Sequence, residues 1–381
     1  MMQSINDTLP TELLFQIFHH IGVVDGPLGL GGALFVCRLW KAIILNDSHL
    51  WTNLVFNQMF IQQLVPSTAR LLNYIDKCGA LSGDHPIRLS VDIAAFNDHL
   101  RWNVTGAQQP RPRGVSPTHF SLLTIARAMA RAGSLRGRIR TLVFSGGYAP
   151  SSPLRIITSI MTDLVKEHLQ HLELRGCRDN AIASIAGLPR SLESVLLLDP
   201  DWGAYGYVHD GLVIARRLTF QRVSSWCGED SIHIGQYRSL IELRLISSPI
   251  SVDDSSFVLD VFQKLTVGEH ARHSFLLPSV TTLYIRGDVP FFILNPLNLP
   301  ALDMIEVRNH DFLQPLVTVH STTLHHTITK LAVRFTSDTS DGWGDALASV
   351  LAGASHLQTL VVSDWMERHL SVPESVEIVL V

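Results

Sequence analysis

The sequence is short of the residues that carry covalent, redox or metal chemistry. Its four cysteines, Cys37, Cys78, Cys177 and Cys227, lie far apart and form no C-x-x-C pair. That spacing speaks against a redox motif or a zinc knuckle, and the four read as reduced, mostly buried thiols. No apolar run approaches the roughly 18 to 20 residues that span a bilayer. PFFIL near position 290 is broken by Asn295 and Pro296, so no membrane is expected among the partners. The opening stretch, MMQSINDTLPTELL, has neither the basic segment nor the long apolar one of a secretory signal. The expected setting is cytoplasmic or nuclear, and the sequons Asn6–Thr8 and Asn103–Thr105 read as chance matches. Charge is scarce as well: 17% of residues are charged against 46% hydrophobic, a balance that buries a core and confines disorder to local stretches. At 381 residues the chain is long enough for one extended architecture or for several compact domains.

Catalytic motifs are missing too. DGPLGLGGALFVCRLW, residues 25–40, crowds Gly26, Gly29, Gly31 and Gly32 beside Cys37. A G-x-G-x-x-G loop needs a third glycine where Leu34 stands, no strand pattern precedes it, and G-x-x-x-x-G-K-[ST] is absent. Cys37 sits among Phe35, Val36 and Leu39, an apolar setting in which a thiol is inert. The nearest approach to G-x-S-x-G, Gly353-Ala354-Ser355-His356-Leu357, ends in leucine. His19 with His20, His270 with His273, and His325 with His326 lack a third ligand nearby. No catalytic residue, metal or cofactor is expected, and the chain reads as a non-enzyme.

Charge is more informative in its distribution than in its total of -4. Residues 99–162 hold nine arginines (Arg101, Arg111, Arg113, Arg127, Arg131, Arg136, Arg138, Arg140 and Arg155) and neither lysine nor acid. The other 21 basic residues therefore face all 34 acidic ones elsewhere. This region is either a solvated face or a site for an acidic or phosphate-bearing partner, with Arg127, Arg131, Arg138 and Arg140 as its candidate residues. Nucleic acid is disfavoured, since no aromatic beyond Trp102 is interleaved and the remaining chain is acidic.

LPTELLFQIFHHI spaces Leu13, Leu14, Ile17, Phe18 and Ile21 as one helix, with Pro10 suited to its first turn. Leu30, Ala33, Leu34, Cys37, Leu39, Trp40 and Ile44 predict a second, ended by Asn46, Asp47 and Ser48. SHLWTNLVF, carrying Leu50, Trp51, Leu54 and Phe56, continues the apolar surface as a third short helix. Helices this short are marginal by themselves, so a partner surface is expected. The glycines before Val36, each costing up to about 1 kcal/mol against alanine in a helix, predict that the second helix starts late.

Three separated blocks, Leu9-Pro10-x-Glu12-Leu13-Leu14-x-x-Ile17-Phe18, Val36-Cys37-Arg38-x-Trp40 and Asp47-x-x-Leu50-Trp51, resemble an F-box. The resemblance implies a module that docks the adaptor protein of SCF-type cullin–RING ubiquitin ligases, and through it a cullin. The remaining chain would select an unknown protein substrate. It also implies that Leu9, Pro10, Glu12, Leu13, Leu14, Ile17, Phe18, Val36, Cys37, Trp40, Leu50 and Trp51 form the module's core and its adaptor-facing surface, with Val36, Cys37 and Trp40 read as packing residues.

From residue 86 a six-position pattern, apolar-x-x-apolar-x-apolar, recurs. Its clear copies begin at Ile139, Leu169, Leu192, Leu240, Val280, Leu302, Ile328 and Leu357. Weaker ones lie at Arg88–Val91, Arg217–Phe220, Lys264–Val267 and Ile378–Leu380. Steps of 18 to 25 residues between successive copies from 169 to 302 match leucine-rich-repeat spacing. Residues 156–169 and 344–357 read as intervening helices. Residues 94–120, polar and broken by PRPRG and SP, read as an exposed loop. The pairing is similar to the large F-box families of fungi.

The expected fold is thus α/β. It has a small three-helix F-box at 5–56, a helical linker at 57–85, and a curved leucine-rich-repeat-like solenoid at 86–381. The expected function is non-catalytic substrate recognition for an SCF-type ligase. A ubiquitin-independent repeat scaffold or protein-binding module is the alternative.

Overall fold

The computed structural model describes residues 9–64, 67–92, 94, 95, 125, 128, 135, 137–147, 167–177, 192–198, 215–223, 239–247, 275–286, 297–308, 327–334, 343–367, 370 and 372–381. They fall in two compact units, residues 1–191 and 192–381. Among them no helix is long and apolar enough to cross a membrane.

The first unit opens with helix α1, Thr11–Val24. Pro10 stands at its N-cap, and its carbonyl accepts from the Leu13 and Leu14 N–H groups at 3.1 and 3.3 Å. Glu12 occupies the first turn, where the helix dipole favours a negative charge. The glycine stretch then forms a one-turn helix α2, Gly26–Gly29, and a 3-10 turn, Ala33–Phe35. Helix α3 starts late, as the glycines predict. It runs over Arg38–Asn46, with the Cys37 sulfur at the N-cap accepting from the Trp40 N–H at 3.5 Å.

The expected third helix is replaced by a 3-10 turn, Ser48–Trp51, and strand β1, Asn53–Phe56. β1 pairs in parallel with β2, Ile87–Asp92, placing Leu54 beside Leu89 and Phe56 beside Val91. The reason is burial: Leu54, Val55 and Phe56 are all buried, which a strand between packed surfaces allows and an amphipathic helix does not. Helices α4, Gln58–Gln63, and α5, Thr68–Leu81, lie between these strands in the chain, each capped by a side-chain oxygen, of Asn57 and Ser67. Phe60 links them to β1, stacking on Phe56 at 4.1 Å and meeting Tyr74 edge-on at 5.9 Å. β3, Ile139–Gly147, and β4, His171–Cys177, extend the ladder in chain order, all parallel.

The second unit holds β5 Ser194–Leu198, β6 Arg217–Val223, β7 Glu242–Ser247, β8 Phe275–Leu276, β9 Thr282–Arg286, β10 Leu297–Asn298, β11 Met304–Val307 and β12 Lys330–Val333. Helix α6 Trp343–Gly353, β13 Thr359–Val362, helix α7 Asp364–Glu367 and β14 Glu377–Leu380 follow. Eight of these strands form one parallel ladder in the order β5-β6-β7-β9-β11-β12-β13-β14, while β8 pairs with β10 alone. The six-position pattern explains the ladder. In all eight clear copies the first, fourth and sixth residues are no more than 5% exposed, so alternation within each strand sets one face inward. The copies at Arg88, Arg217 and Ile378 are strands as well; Lys264–Val267 lies outside the described residues. Parallel strands in chain order are compatible with a solenoid-like architecture. Helix α6 fills most of the helical stretch expected at 344–357. The one expected at 156–169 and the loop expected at 94–120 fall almost wholly outside the described residues.

Candidate adaptor-docking surface

The three blocks of the F-box resemblance fold onto one another, and burial divides their residues into two groups. Leu14 and Phe18 on α1 and Leu50 and Trp51 in the 3-10 turn are buried. Trp40 on α3 meets the Phe18 ring edge-on at 5.2 Å. The Trp51 indole donates to the Ile44 carbonyl at 2.8 Å in a buried hydrogen bond, which fixes the end of α3 against the turn. The Asn53 amide donates to the carbonyls of Gly22 at 3.0 Å and Val23 at 2.8 Å. It thereby satisfies orphan acceptors at the end of α1 and ties that helix to β1. The Trp40 indole nitrogen is buried without a hydrogen-bond partner among the described residues.

Gly26 sets the joint between α1 and β1. Its φ is +69°, and a β-carbon there would stand 3.0 Å from the Asn53 carbonyl oxygen and 3.1 Å from Val55. Only glycine meets both demands without strain. The glycine-rich stretch is therefore a packing joint.

The second group faces solvent. Leu13 and Ile17 on α1 are 43% and 44% exposed, and Val36, expected to pack, is 52% exposed. Pro10 and Glu12 are exposed, and Leu9 and Cys37 are half-buried. Leu9, Leu13, Gln16, Ile17, His20 and Ile21 line one shallow depression along α1. Phe35, exposed at 90%, and Leu39 join this group, and sequence reasoning missed both. A helix phased from Leu30 puts Leu39 with Ile44 on the buried face; with the helix restarted at Arg38, Ile44 stays buried, Ile43 joins it and Leu39 turns to solvent.

Beneath α2 lies a buried pair on α5. Burial pushes the Cys78 thiol up to about 12. Burial first, and the neighbouring thiol second, hold the Tyr74 hydroxyl well above its ordinary pKa. A thiol so raised stays protonated and unreactive.

The arginine region divides differently. Arg127 and Arg131 lie outside the described residues. Arg138 donates to the Gly79 carbonyl at 3.1 Å, the Ser82 hydroxyl at 2.5 Å and the His85 carbonyl through two nitrogens at 3.1 and 3.0 Å. Arg140 donates to the His168 carbonyl at 3.1 Å. Both side chains have partners within their own unit. His19 and His20 are exposed on α1, while His270, His273, His325 and His326 lie outside the described residues.

No curated protein matches the chain. A family model described as F-box-like matches residues 6–57, the span that contains α1, the glycine joint, α3, the 3-10 turn and β1. The chain thus carries an F-box-like domain at residues 6–57, a type of domain that docks the adaptor of cullin–RING ligases.

Proposed function

We propose that the chain is a non-catalytic substrate-recognition subunit of an SCF-type cullin–RING ubiquitin ligase, acting in the cytoplasm or nucleus. The F-box-like domain docks the adaptor, and irregular leucine-rich repeats, stacked as a curved solenoid, bind the protein substrate. One observation carries the docking half: the domain's own core is complete, yet Leu13, Ile17, Phe35, Val36 and Leu39 remain in water. Exposed apolar side chains concentrated on one small module mark a surface that a partner covers. The repeat half is supported by the burial of the six-position pattern and the chain-ordered parallel ladders.

The test is co-expression of the full chain with the adaptor. The wild type is expected to co-purify with it, and an Ile17→Asp, Phe35→Asp double variant to lose the adaptor with an unchanged melting temperature. If the wild type does not co-purify, or the double variant is captured equally well, the ligase reading fails. A ubiquitin-independent scaffold then takes its place.

A further inference from the structure

We propose that the solvent face of β9, β11 and β12 binds an acidic peptide segment through a row of three arginines, Arg286, Arg308 and Arg334. The three strands are in register at their ends, Ile285 pairing with Val307 and Val307 with Val333. An arginine follows each of these buried residues. Three guanidinium side chains therefore rise from neighbouring strands spaced about 4.8 Å apart. The ladder continues into the row: the Arg308 N–H donates to the Ile285 carbonyl at 2.9 Å and the Arg334 N–H to the Val307 carbonyl at 3.0 Å.

Among the described residues the row has a single counter-charge, Glu306. Glu306 serves two of its members, 3.1 Å from the Arg308 Nε and 3.7 Å from the Arg334 Nε. Arg286 is exposed and has no ion-pair partner among the described residues. The Arg334 Nε is buried without a hydrogen bond. Like charges held side by side repel one another, and a partner's carboxylates would relieve the repulsion through forked guanidinium bonds. Glu306 shows that one carboxylate can span two of these arginines.

Tyr284, on β9, helps set the geometry. Arg244 on β7 and Arg308, directly after β11, lie over its ring, 5.6 and 5.5 Å from the centroid. Arg244 is held further by an ion pair with Glu242. Arg308 is thus oriented before any partner arrives, which lowers the entropic cost of binding. Tyr284 is already engaged by two guanidiniums, and base stacking on a ring so engaged is disfavoured, which favours a peptide over nucleic acid.

This inference names the substrate class for the receptor reading above and rests on it. Its test uses the full chain without any ligase component, so its failure and a failure of adaptor capture are separate results. Fluorescence anisotropy would follow a short labelled polyglutamate peptide, with polylysine, a serine-phosphorylated peptide and single-stranded RNA of similar length as comparisons. Polyglutamate is expected to bind, less tightly as salt is added. Arg286→Ala and Arg334→Ala should each weaken binding about tenfold or more, while Lys77→Ala on α5 leaves it unchanged. Arg286→Ala removes no ion pair made by the described residues, so its melting temperature should stay at the wild-type value. The proposal is overturned if the wild type does not bind polyglutamate, if both arginine variants bind it as well as the wild type, or if polylysine, the phosphopeptide or the RNA binds more tightly.

Discussion

The guanidinium of Arg138 holds the carbonyl of His85 with two donors, Nε at 3.1 Å and Nη2 at 3.0 Å. The same group reaches the Gly79 carbonyl and the Ser82 hydroxyl at the end of α5, where a helix presents unpaired carbonyls and a cation is favoured. Arg138 directly precedes β3, so this one side chain clamps the end of α5 and the approach to β2 against the next strand of the ladder.

Removing the clamp should destabilise the first unit. Arg138→Ala is expected to cost about 2–3 kcal/mol, because several part-buried acceptors lose a charged donor together. Arg138→Lys should recover only part of this, since an ammonium cannot reproduce the forked geometry. Urea unfolding checks both, and an unchanged midpoint for Arg138→Ala would remove the clamp from the account. A loss of partner capture by any variant of Arg138 would therefore report on folding as well as on contact.

Two glycines of one loop should respond in opposite ways. Gly26→Ala meets a positive φ and close backbone atoms, and a loss of about 1–3 kcal/mol is expected. Gly32 has φ -65° and ψ -40°, with open space where a β-carbon would go. Gly32→Ala should leave stability unchanged or raise it by up to about 1 kcal/mol. Thermal melting of the two variants compares them directly.

Adjacent leucines on α1 should separate stability from docking. Leu14 is fully buried and Leu13 is 43% exposed. Leu14→Ala is expected to cost about 2–5 kcal/mol. Leu13→Ala should stay within about 0.5 kcal/mol of wild type while weakening adaptor capture. Equal effects of the two on melting temperature would contradict the division of the helix into core and docking faces.

Stability should fall at alkaline pH. The folded pKa of Cys78, about 12, and that of Tyr74, raised well above its ordinary value by burial, both exceed their unfolded values. The neutral groups therefore contribute fully below the unfolded thiol value near 9.0, and the contribution is lost as pH rises towards about 12. Cys78→Ala should flatten that decline in a pH series of unfolding midpoints. In the folded wild type Cys78 should resist a thiol reagent and react only after unfolding.

The eight strands built on clear copies were legible in the sequence because each carries its burial code locally: three apolar residues in a fixed six-position frame specify both the strand and its inward face. β1 was not, because Leu54, Val55 and Phe56 form a short apolar run that periodicity alone cannot assign to helix or strand. The docking face was half legible. The signature blocks locate the module, but the late start of α3 decides whether Leu39 is core or surface, and the Cys37 cap sets that start. The arginine row was hidden for another reason: Arg286, Arg308 and Arg334 come one per strand, more than twenty residues apart, and only the ladder's register makes them neighbours.

The pairing of β1 with β2 also decides how the F-box-like domain can be handled as a separate piece. A fragment that stops after residue 57 keeps β1 but loses Ile87–Asp92, baring a strand edge whose free N–H and C=O groups would recruit other chains. A fragment meant to stay monomeric therefore has to run at least through β2. For the same reason α1, held to β1 by the Asn53 amide, has no swivel separating it from the ladder's first strand. An adaptor that seizes this helix takes hold of the strand as well, and the two would turn together as one handle.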